Sequence, residues 1–370
     1  MTEGGKPSLN KPCNERFRKL EIYPGYACSR SCRFCFVSRR DREKYRDPLP
    51  FRTVCETIYK SYHQEGSRTI AVLGGEPTLY RDLPAVLSFA NRVGYVGSLL
   101  FTNGFRFAEP GYAEKMAELK LNAVQINLPS HEPETFDYLT RSENGLERAV
   151  KALENLRRAN IVTTAVCVLT RQNCDSLADY AAFYRSLGVR FFMVHYTKFL
   201  GNLDPDEKEN TENIRSITVP MSTAAEGIFR MTDYCVAEGI VPPFVEIIPP
   251  CIMGKYASRV IDFIQDTDDA GSETLIQPGF DFSKTYDVSY RGRVRLPCCT
   301  GCIWGSRCCG VEANYVKLFG YSEFKAVTEE PEPYYSVIPE NERRDLFRTL
   351  PDLTQEAYLT GHGESLDGLV

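Results

Sequence analysis

The sequence has no apolar run that approaches the roughly 20 residues needed to cross a bilayer. Its first residues, Met1 to Pro7, have neither the apolar stretch of a secretory signal nor the Arg-rich amphipathic character of an organelle transit peptide. It also has no internal repeat and no low-complexity tract. These absences argue against a membrane or secreted protein, so we expect a cytoplasmic location and no membrane partner.

An excess of positive charge is also missing. The chain has 44 Lys and Arg residues against 49 Asp and Glu residues, which gives a net charge of −5. Because an extended nucleic-acid surface normally shows as a basic excess, we expect no nucleic-acid partner. The densest charged run, 39–47, interleaves both signs and predicts a solvated helix face.

Cysteine is plentiful, and its 14 residues cluster at metal-like spacings rather than as a disulfide framework. Cys28, Cys32 and Cys35 follow a short apolar segment with the spacing C-x3-C-x2-C. Three thiolates on one tight loop can hold three corners of a four-iron cluster and leave the fourth iron open to a ligand. The alternatives are a zinc knuckle that lacks one ligand and a chance grouping of cysteines.

Six apolar segments rich in β-branched residues alternate with helical patterns. In the clearest helix, Leu146, Val150, Leu153 and Leu156 recur at helical spacing. This alternation predicts a parallel sheet with right-handed crossovers, and six units fall short of the eight in a closed barrel. We therefore expect an α/β fold with a partial (β/α)6 TIM-like barrel. The predicted strands are 19–23, 69–73, 97–101, 123–128, 162–170 and 189–195.

Chemically useful residues follow these strands, at the ends where barrels of this type carry their working groups. A Gly-Gly-Glu-Pro turn, 74–77, follows the second strand, and Asn103 lies in the turn after the third. Asn127 lies near the end of the fourth strand and His195 ends the sixth. His195 can serve as an acid or a base, and the alternative is a histidine satisfied by a backbone partner. All of these residues are expected on one rim.

The cysteine triplet, with Phe34 before its last cysteine, resembles the radical S-adenosylmethionine (SAM) superfamily when taken with the 74–77 turn. The resemblance implies a [4Fe-4S] cluster on Cys28, Cys32 and Cys35 whose open iron binds SAM. It implies that SAM is cleaved reductively to a 5′-deoxyadenosyl radical, which abstracts a hydrogen atom from the substrate. The residues that would contact SAM are then Phe34 near the adenine, Gly74, Gly75, Glu76 and Pro77 at the methionyl amino group, Asn103, and Asn127 at the ribose or carboxylate.

A second cysteine group, Cys299, Cys302 and Cys308, has the spacing C-x2-C-x5-C and a glycine two places after its last cysteine. It resembles the auxiliary-cluster segment of SPASM and twitch domains, which extend many radical SAM enzymes. The full seven-cysteine SPASM pattern is not present, so we expect one auxiliary [4Fe-4S] cluster in a shortened domain. Its expected fourth ligand is Cys251, and Cys298 and Cys309 remain alternatives. A zinc ribbon lacking half of its ligands is the other interpretation.

We expect four segments: a lead at 1–17, the partial barrel at 18–245, the small auxiliary-cluster domain at 246–320 and a tail at 321–370. The resemblance implies an enzyme, and we favour a maturase that modifies a ribosomally made peptide. The alternative is a dehydrogenase, epimerase or bond-forming enzyme acting on an aminosugar, nucleoside or amino acid. A non-catalytic iron-sulfur electron carrier is a third hypothesis. A flavodoxin or ferredoxin is the expected reducing partner.

Overall fold

This computed structural model describes residues 18–261, 274–277, 280–284, 292–305 and 308–329. The lead at 1–17 and the part of the expected tail after residue 329 lie outside these residues. Within the described part of the chain, none of the helices combines the length and the apolar character that a bilayer span requires.

Seven strands run parallel in one curled, open sheet, and each strand lies beside the one before it in the chain. An eighth strand extends the sheet by pairing parallel to the first, and a ninth pairs antiparallel to the eighth. Two further strands form a small antiparallel pair near the second cysteine group. The strands are β1 Arg18–Ile22, β2 Ser67–Val72, β3 Gly97–Thr102, β4 Ala123–Asn127, β5 Val162–Val168, β6 Phe191–His195, β7 Phe244–Glu246, β8 Thr274–Gln277, β9 Phe280–Lys284, β10 Arg293–Val294 and β11 Val311–Glu312.

Helices connect successive parallel strands and cover the outer face of the sheet, as crossover connections require. The second helix continues into a π turn at Ser61–Glu65. The helices are α1 Arg39–Lys44, α2 Phe51–Lys60, α3 Leu83–Val93, α4 Tyr112–Glu118, α5 Pro133–Thr140, α6 Gly145–Arg158, α7 Leu177–Ser186, α8 Thr211–Ile217, α9 Met221–Ala237, α10 Pro250–Met253 and α11 Ala313–Phe319.

The predicted α/β partial barrel is confirmed, and each of the six predicted strands coincides with one of β1 to β6. The structure adds β7, which has only three residues and lies between two proline pairs, 242–243 and 249–250. Such a short segment gives no alternating pattern that sequence analysis can recognise. The predicted barrel boundary at residue 245 falls inside β7, and the division into domains stays a prediction.

Alternate residues of each strand face opposite sides of the sheet and join two different buried clusters. On β6, Phe192 and Val194 pack in the large cluster shared with the helices. Phe191 and Met193 belong to a smaller inner cluster built mostly from strand residues. Because side chains alternate with a period of two, His195 continues the inner row and points to the inside of the curl at its rim.

The amphipathic pattern of α6 is confirmed by burial. Leu146, Leu153 and Leu156 are buried in the large cluster, and Val150 packs partly buried against it. Asn155 adds a buried hydrogen bond from its Nδ2 to the carbonyl oxygen of Phe107, at 2.8 Å. The helix is therefore anchored by one apolar stripe and one polar contact.

The chain beyond the second cysteine group packs back onto the barrel. The Glu312 carboxylate accepts a hydrogen bond from the Phe199 backbone N–H at 3.1 Å, and Asn314 donates to the Phe199 carbonyl at 3.1 Å. The hydroxyl of Tyr315, which is fully buried, accepts from the Met221 backbone N–H at 2.9 Å. These contacts hold the second cysteine group close to the loop after β6.

Gly227 offers a test of the packing between α9 and the turn before α7. In an exposed helix interior, Gly→Ala stabilises by up to about 1 kcal/mol. Here an added Cβ would lie 1.7 Å from the carbonyl oxygen of Cys174, so the backbones must separate. We expect Gly227→Ala to lower the free energy of unfolding by at least about 2 kcal/mol in urea denaturation. Glu226→Ala, on the exposed face of the same helix, is the matched control and should change it little.

Candidate functional site

The cysteine loop follows β1 and is held by backbone contacts rather than by its own side chains. The Cys35 N–H donates to the Cys32 carbonyl at 3.2 Å, which closes a tight turn. Asn202, after β6, donates from its side chain to the Cys32 carbonyl at 2.8 Å and from its N–H to the Cys35 carbonyl at 2.9 Å. Gly201 is needed there, since its φ is +61° and a Cβ would lie about 2.5 Å from the Phe36 backbone.

Nitrogen donors point at the sulfur atoms of this loop. Arg42 Nη2 lies 3.1 Å from Cys35 Sγ, and the Arg30 N–H lies 3.4 Å from Cys28 Sγ. Asn103 Nδ2 is 4.0 Å from Cys28 Sγ. Donors in these positions stabilise thiolates and tune the potential of a cluster that the thiolates hold.

The same thiols are shielded from water. Burial raises the pKa of Cys32 to about 12 and also raises the pKa of Cys28. The metal-free loop therefore holds protonated thiols at neutral pH, and a metal must displace those protons when it binds. Among the described residues, no group of three His, Cys, Asp or Glu side chains comes close enough together to hold a single metal ion. The thiols and their donors fit a larger anionic group such as an iron-sulfur cluster.

The Gly-Gly-Glu-Pro turn lies directly against the backbone of the cysteine loop. Gly75 N–H donates to the Gly25 carbonyl at 3.0 Å, and Glu76 N–H donates to the Ala27 carbonyl at 2.7 Å. An added Cβ would lie 2.6 Å from the Gly25 oxygen at Gly74 and 2.3 Å from the Ala27 oxygen at Gly75. Any side chain larger than hydrogen would therefore push the two loops apart.

The Glu76 carboxylate joins this turn to the turn after β3. It accepts from the Thr78 N–H and hydroxyl at 3.1 and 2.7 Å, from the Thr102 hydroxyl at 2.7 Å, and from the Asn103 N–H at 2.7 Å. The side chain is only 4% exposed, so these donors supply its solvation. Glu76 is one of the residues that the resemblance implies as a SAM contact, and that role stays a prediction; in this structure its carboxylate oxygens are engaged within the protein.

The other residues expected to contact SAM lie around this centre. Pro77 begins a short 3₁₀ turn and is buried, and Phe34 is 8% exposed within the large cluster. Asn103 uses its side-chain oxygen to accept from the Phe105 N–H at 2.9 Å and donates to Ser29 Oγ at 3.1 Å. Asn127 ends β4, and its buried Oδ1 has no hydrogen-bond partner among the described residues. Its orphaned acceptor fits a bound ligand, and the four roles stay predictions.

His195 and Glu246 form a pair across the ends of β6 and β7. They are register partners, and His195 Nε2 lies 3.2 Å from Glu246 Oε2. Both side chains are partly buried, at 21% and 29% exposure. The observed neighbour of the His195 side chain is therefore the Glu246 carboxylate. Glu246 was not predicted from the sequence because its strand, β7, was not recognised. The catalytic role of His195 stays a prediction.

The next residue, Ile247, has a φ of +71°, which is rare for a β-branched side chain and strains the backbone. It turns the chain from β7 into α10, where Cys251 lies. The second cysteine group is thereby brought to the same end of the sheet as His195 and the first cysteine loop.

Five thiols line one cavity beside α10 and β11. Trp304, the single tryptophan of the chain, is 5% exposed and lines the cavity as well. Cys309 is not among the lining residues, and the choice of fourth ligand among Cys251, Cys298 and Cys309 stays a prediction. The lining thiols are Cys251, Cys298, Cys299, Cys302 and Cys308.

The electrostatics of this cavity also bring Cys251 together with the later cysteines. Burial raises the pKa of Cys251 to about 12, and the Cys308 thiol adds the next largest effect. The Gly310 N–H lies 3.4 Å from Cys308 Sγ, which repeats the N–H to sulfur contact of the first loop. The residues fit a second cluster held by four thiolates, and the ligand set stays a prediction.

Fold and site together define an α/β half-barrel protein with an open three-cysteine loop at the C-terminal ends of its strands. The family model of the radical SAM superfamily matches residues 22–184, which include that loop and the Gly-Gly-Glu-Pro turn. Residues 22–184, somewhat less than half of the chain, are therefore a radical SAM domain.

Two curated relatives each match somewhat less than half of the chain. A probable GTP 3′,8-cyclase from Sulfolobus acidocaldarius is 29% identical over 171 residues, which are 46% of this chain and 53% of the relative. The mycofactocin maturase MftC from Mycolicibacterium smegmatis is 33% identical over 159 residues, which are 42% of this chain and 39% of the relative. The chain thus spans about half or less of the length of these relatives.

A solved structure resembles a larger part of the molecule. SuiB from Streptococcus suis, bound to S-adenosylmethionine, has a TM-score of 0.60 and covers 84% of this chain and 76% of its own. Its sequence identity is 16%, so the likeness concerns the fold.

Sequence analysis predicted the cysteines and the glycines but missed Arg30 and Arg42. Arg42 lies in the charged run 39–47, and α1 has no buried residues, as predicted for a solvated helix. The Arg42 side chain nevertheless turns back towards Cys35, and it also donates a hydrogen bond to the Arg30 carbonyl oxygen at 2.8 Å. No sequence signal separates this arginine from its exposed neighbours.

We expect Glu76→Gln to destabilise the protein although the two side chains have the same shape. Backbone N–H groups of Thr78 and Asn103 face different oxygens of the carboxylate, so the amide NH2 opposes one of them in either orientation. The expected loss is about 2 kcal/mol in the free energy of unfolding, measured by urea denaturation of the metal-free protein. Glu109→Gln, at an exposed site nearby, should leave the stability unchanged; an equal loss in both variants would contradict this account.

The adjacent cysteines Cys308 and Cys309 allow a matched test of the second site. We expect Cys308→Ser to lower the iron content after anaerobic reconstitution below the roughly eight atoms per chain of two clusters, because the second cluster loses a thiolate ligand and is held less firmly. Cys309→Ser should keep all of the iron, since Cys309 does not line the cavity. Iron and sulfide analysis is the measurement, and loss of iron from the Cys309 variant would show the ligand assignment to be wrong.

Proposed function

We propose that this protein is a radical SAM enzyme in which Cys28, Cys32 and Cys35 hold the cluster that binds SAM. The observation that carries the proposal is the backbone contact between the cysteine loop and Gly74–Gly75, which brings the three-cysteine loop beside a half-buried stretch of glycine backbone. When bound, the cluster and SAM supply a 5′-deoxyadenosyl radical that takes a hydrogen atom from an unreactive carbon.

The residues of the chain would bind and orient the reactants. The backbone of Gly74 and Gly75 is open to the methionyl amino group, and the orphaned Oδ1 of Asn127 is open to the ribose or carboxylate. At the mouth of the half barrel, His195 with Glu246 is positioned to accept or return a substrate proton. The inner apolar cluster below them excludes water from the reaction.

We propose a peptide as the substrate, which makes the protein a maturase. The support is the similarity to the mycofactocin maturase at 33% identity, although the match covers 39% of that relative. SuiB, which shares the fold, has a solved complex with its precursor peptide SuiA. The half barrel is open along one edge of its mouth, as an extended chain would need.

A small-molecule substrate is the second candidate, because GTP 3′,8-cyclases match nearly the same length of chain. A nucleoside or an aminosugar would then occupy the mouth. Incubation of the reconstituted enzyme and SAM with a peptide encoded beside its gene, or with GTP, would separate these candidates by the mass change of the product. The third hypothesis, an electron carrier, requires no SAM cleavage at all.

The auxiliary site would hold a second [4Fe-4S] cluster on Cys251, Cys299, Cys302 and Cys308. Closed by four thiolates, such a cluster transfers electrons or supports structure. A flavodoxin or ferredoxin is the reducing partner we propose. Thiols that must stay reduced for both clusters fit a reducing compartment such as the cytoplasm.

The two cysteine groups are expected to respond differently to removal of one thiol. Cys32→Ala should abolish 5′-deoxyadenosine formation from SAM under dithionite, because the loop loses one of three cluster ligands. Cys302→Ala should keep some SAM cleavage and lose substrate turnover. Product quantification by liquid chromatography is the measurement, and equal behaviour of the two variants would contradict the proposed roles.

A further inference from the structure

Arg30, between the first two cysteines, is a buried cation with an incomplete set of partners. Its side chain is 4% exposed, and Nη2 donates to the Asn103 carbonyl at 3.1 Å. Nε and Nη1 are buried and have no hydrogen-bond partner among the described residues. The guanidinium lies 3.6 Å from the centre of the Phe105 ring and 5.2 Å from that of Phe136. Its position is therefore fixed while part of its hydrogen-bonding capacity is unused.

A cation in this environment requires an anion nearby, because burial of an uncompensated charge is costly. No carboxylate pairs with Arg30 within the described residues. Glu76 is close enough to act on it electrostatically, but its oxygens already accept from four donors. The other negative groups that act on Arg30 are Cys32 and Cys28, once they are thiolates.

Arg148 is a second cation beside Arg30, but its side chain is exposed and water screens its charge. Its guanidinium lies 3.9 Å from the centre of the same Phe105 ring, so two cations share one aromatic side chain. Aromatic faces attract cations but supply no net negative charge. Within the described residues, the buried charge of Arg30 thus has aromatic faces and one carbonyl oxygen as partners but no paired carboxylate.

We propose that Arg30 is the counter-cation of the first cluster and raises its reduction potential. The inference rests on the proposed function, since it presupposes a cluster on Cys28, Cys32 and Cys35. Reduction adds one electron, supplied by the reducing partner, and so adds one negative charge to the cluster. A buried positive charge that acts electrostatically on Cys32 and Cys28 favours the reduced form, while Arg30 keeps its proton throughout.

Arg33 provides a matched control in the same loop. Like Arg30 it stacks on an aromatic ring, with 4.0 Å to the centre of Tyr138, and donates to a backbone carbonyl. It is more exposed, and it also donates to Asn213 Oδ1 at 3.4 Å. Its charge should act on the cluster much less than that of Arg30 because solvent screens it.

The experiment compares Arg30→Met, Arg30→Lys and Arg33→Met with the chain that is unchanged at residues 30 and 33, each reconstituted anaerobically without SAM. The midpoint potential of the first cluster is followed by electron paramagnetic resonance, with Cys302→Ala as a common background to silence the auxiliary cluster. At a fixed potential we expect Arg30→Met to lower the ratio of reduced to oxidised cluster about tenfold, which is about 59 mV for a one-electron couple. Arg30→Lys should recover part of the shift, and Arg33→Met should show none.

Thermal unfolding gives a second readout that needs no activity. If Arg30 is a counter-cation, cluster loading should raise the melting temperature less in Arg30→Met than in the wild type, since the metal-free variant no longer buries an unpaired charge. An unchanged potential together with a large loss of stability in the metal-free variant would overturn the inference and leave Arg30 as a structural residue. If the wild-type protein bound no iron-sulfur cluster, the proposed function itself would be wrong.

Discussion

The close contact between two backbone segments is the constraint on which the rest of the site depends. The cysteine loop after β1 and the Gly-Gly turn after β2 meet through N–H to carbonyl bonds, at a distance that excludes any Cβ. Parallel pairing of β1 with β2 brings both loops to the same end of the sheet. The Glu76 carboxylate then ties the second loop to the third, so three successive strand ends form one rigid unit.

Charge is the second feature that organises this unit. The metal-free site combines protonated thiols with arginines at Arg30 and Arg42, and it has donors directed at sulfur without an anion to receive them. Burial of these positive charges without an anion costs free energy, and the binding of an anionic group offsets that cost. The fold therefore prepares the site for a negatively charged cluster before that cluster is present, as preorganised sites do.

Strand β7 is the element that brings Cys251 to the second cysteine group. Without this strand, Cys251 would be a lone thiol far in sequence from Cys299. β7 adds to the sheet beside β6, the strained turn at Ile247 leads into α10, and Cys251 then lines the same cavity as the later cysteines. The packing of Glu312 and Tyr315 against the barrel holds this cavity close to His195 and Glu246.

The sequence by itself determined the half barrel, because β-branched strands and amphipathic helices such as α6 carry periodic patterns that survive without tertiary context. It also determined the two cysteine groups and the glycine turn, since these motifs are local and their residue types are chemically restricted. Only the tertiary structure decided the rest. The partners of Arg30 and the pairing of His195 with Glu246 are contacts between residues that are distant in the chain. The absence of Cys309 from the lining of the cavity is a choice between neighbouring cysteines. No local sequence pattern encodes either kind of information.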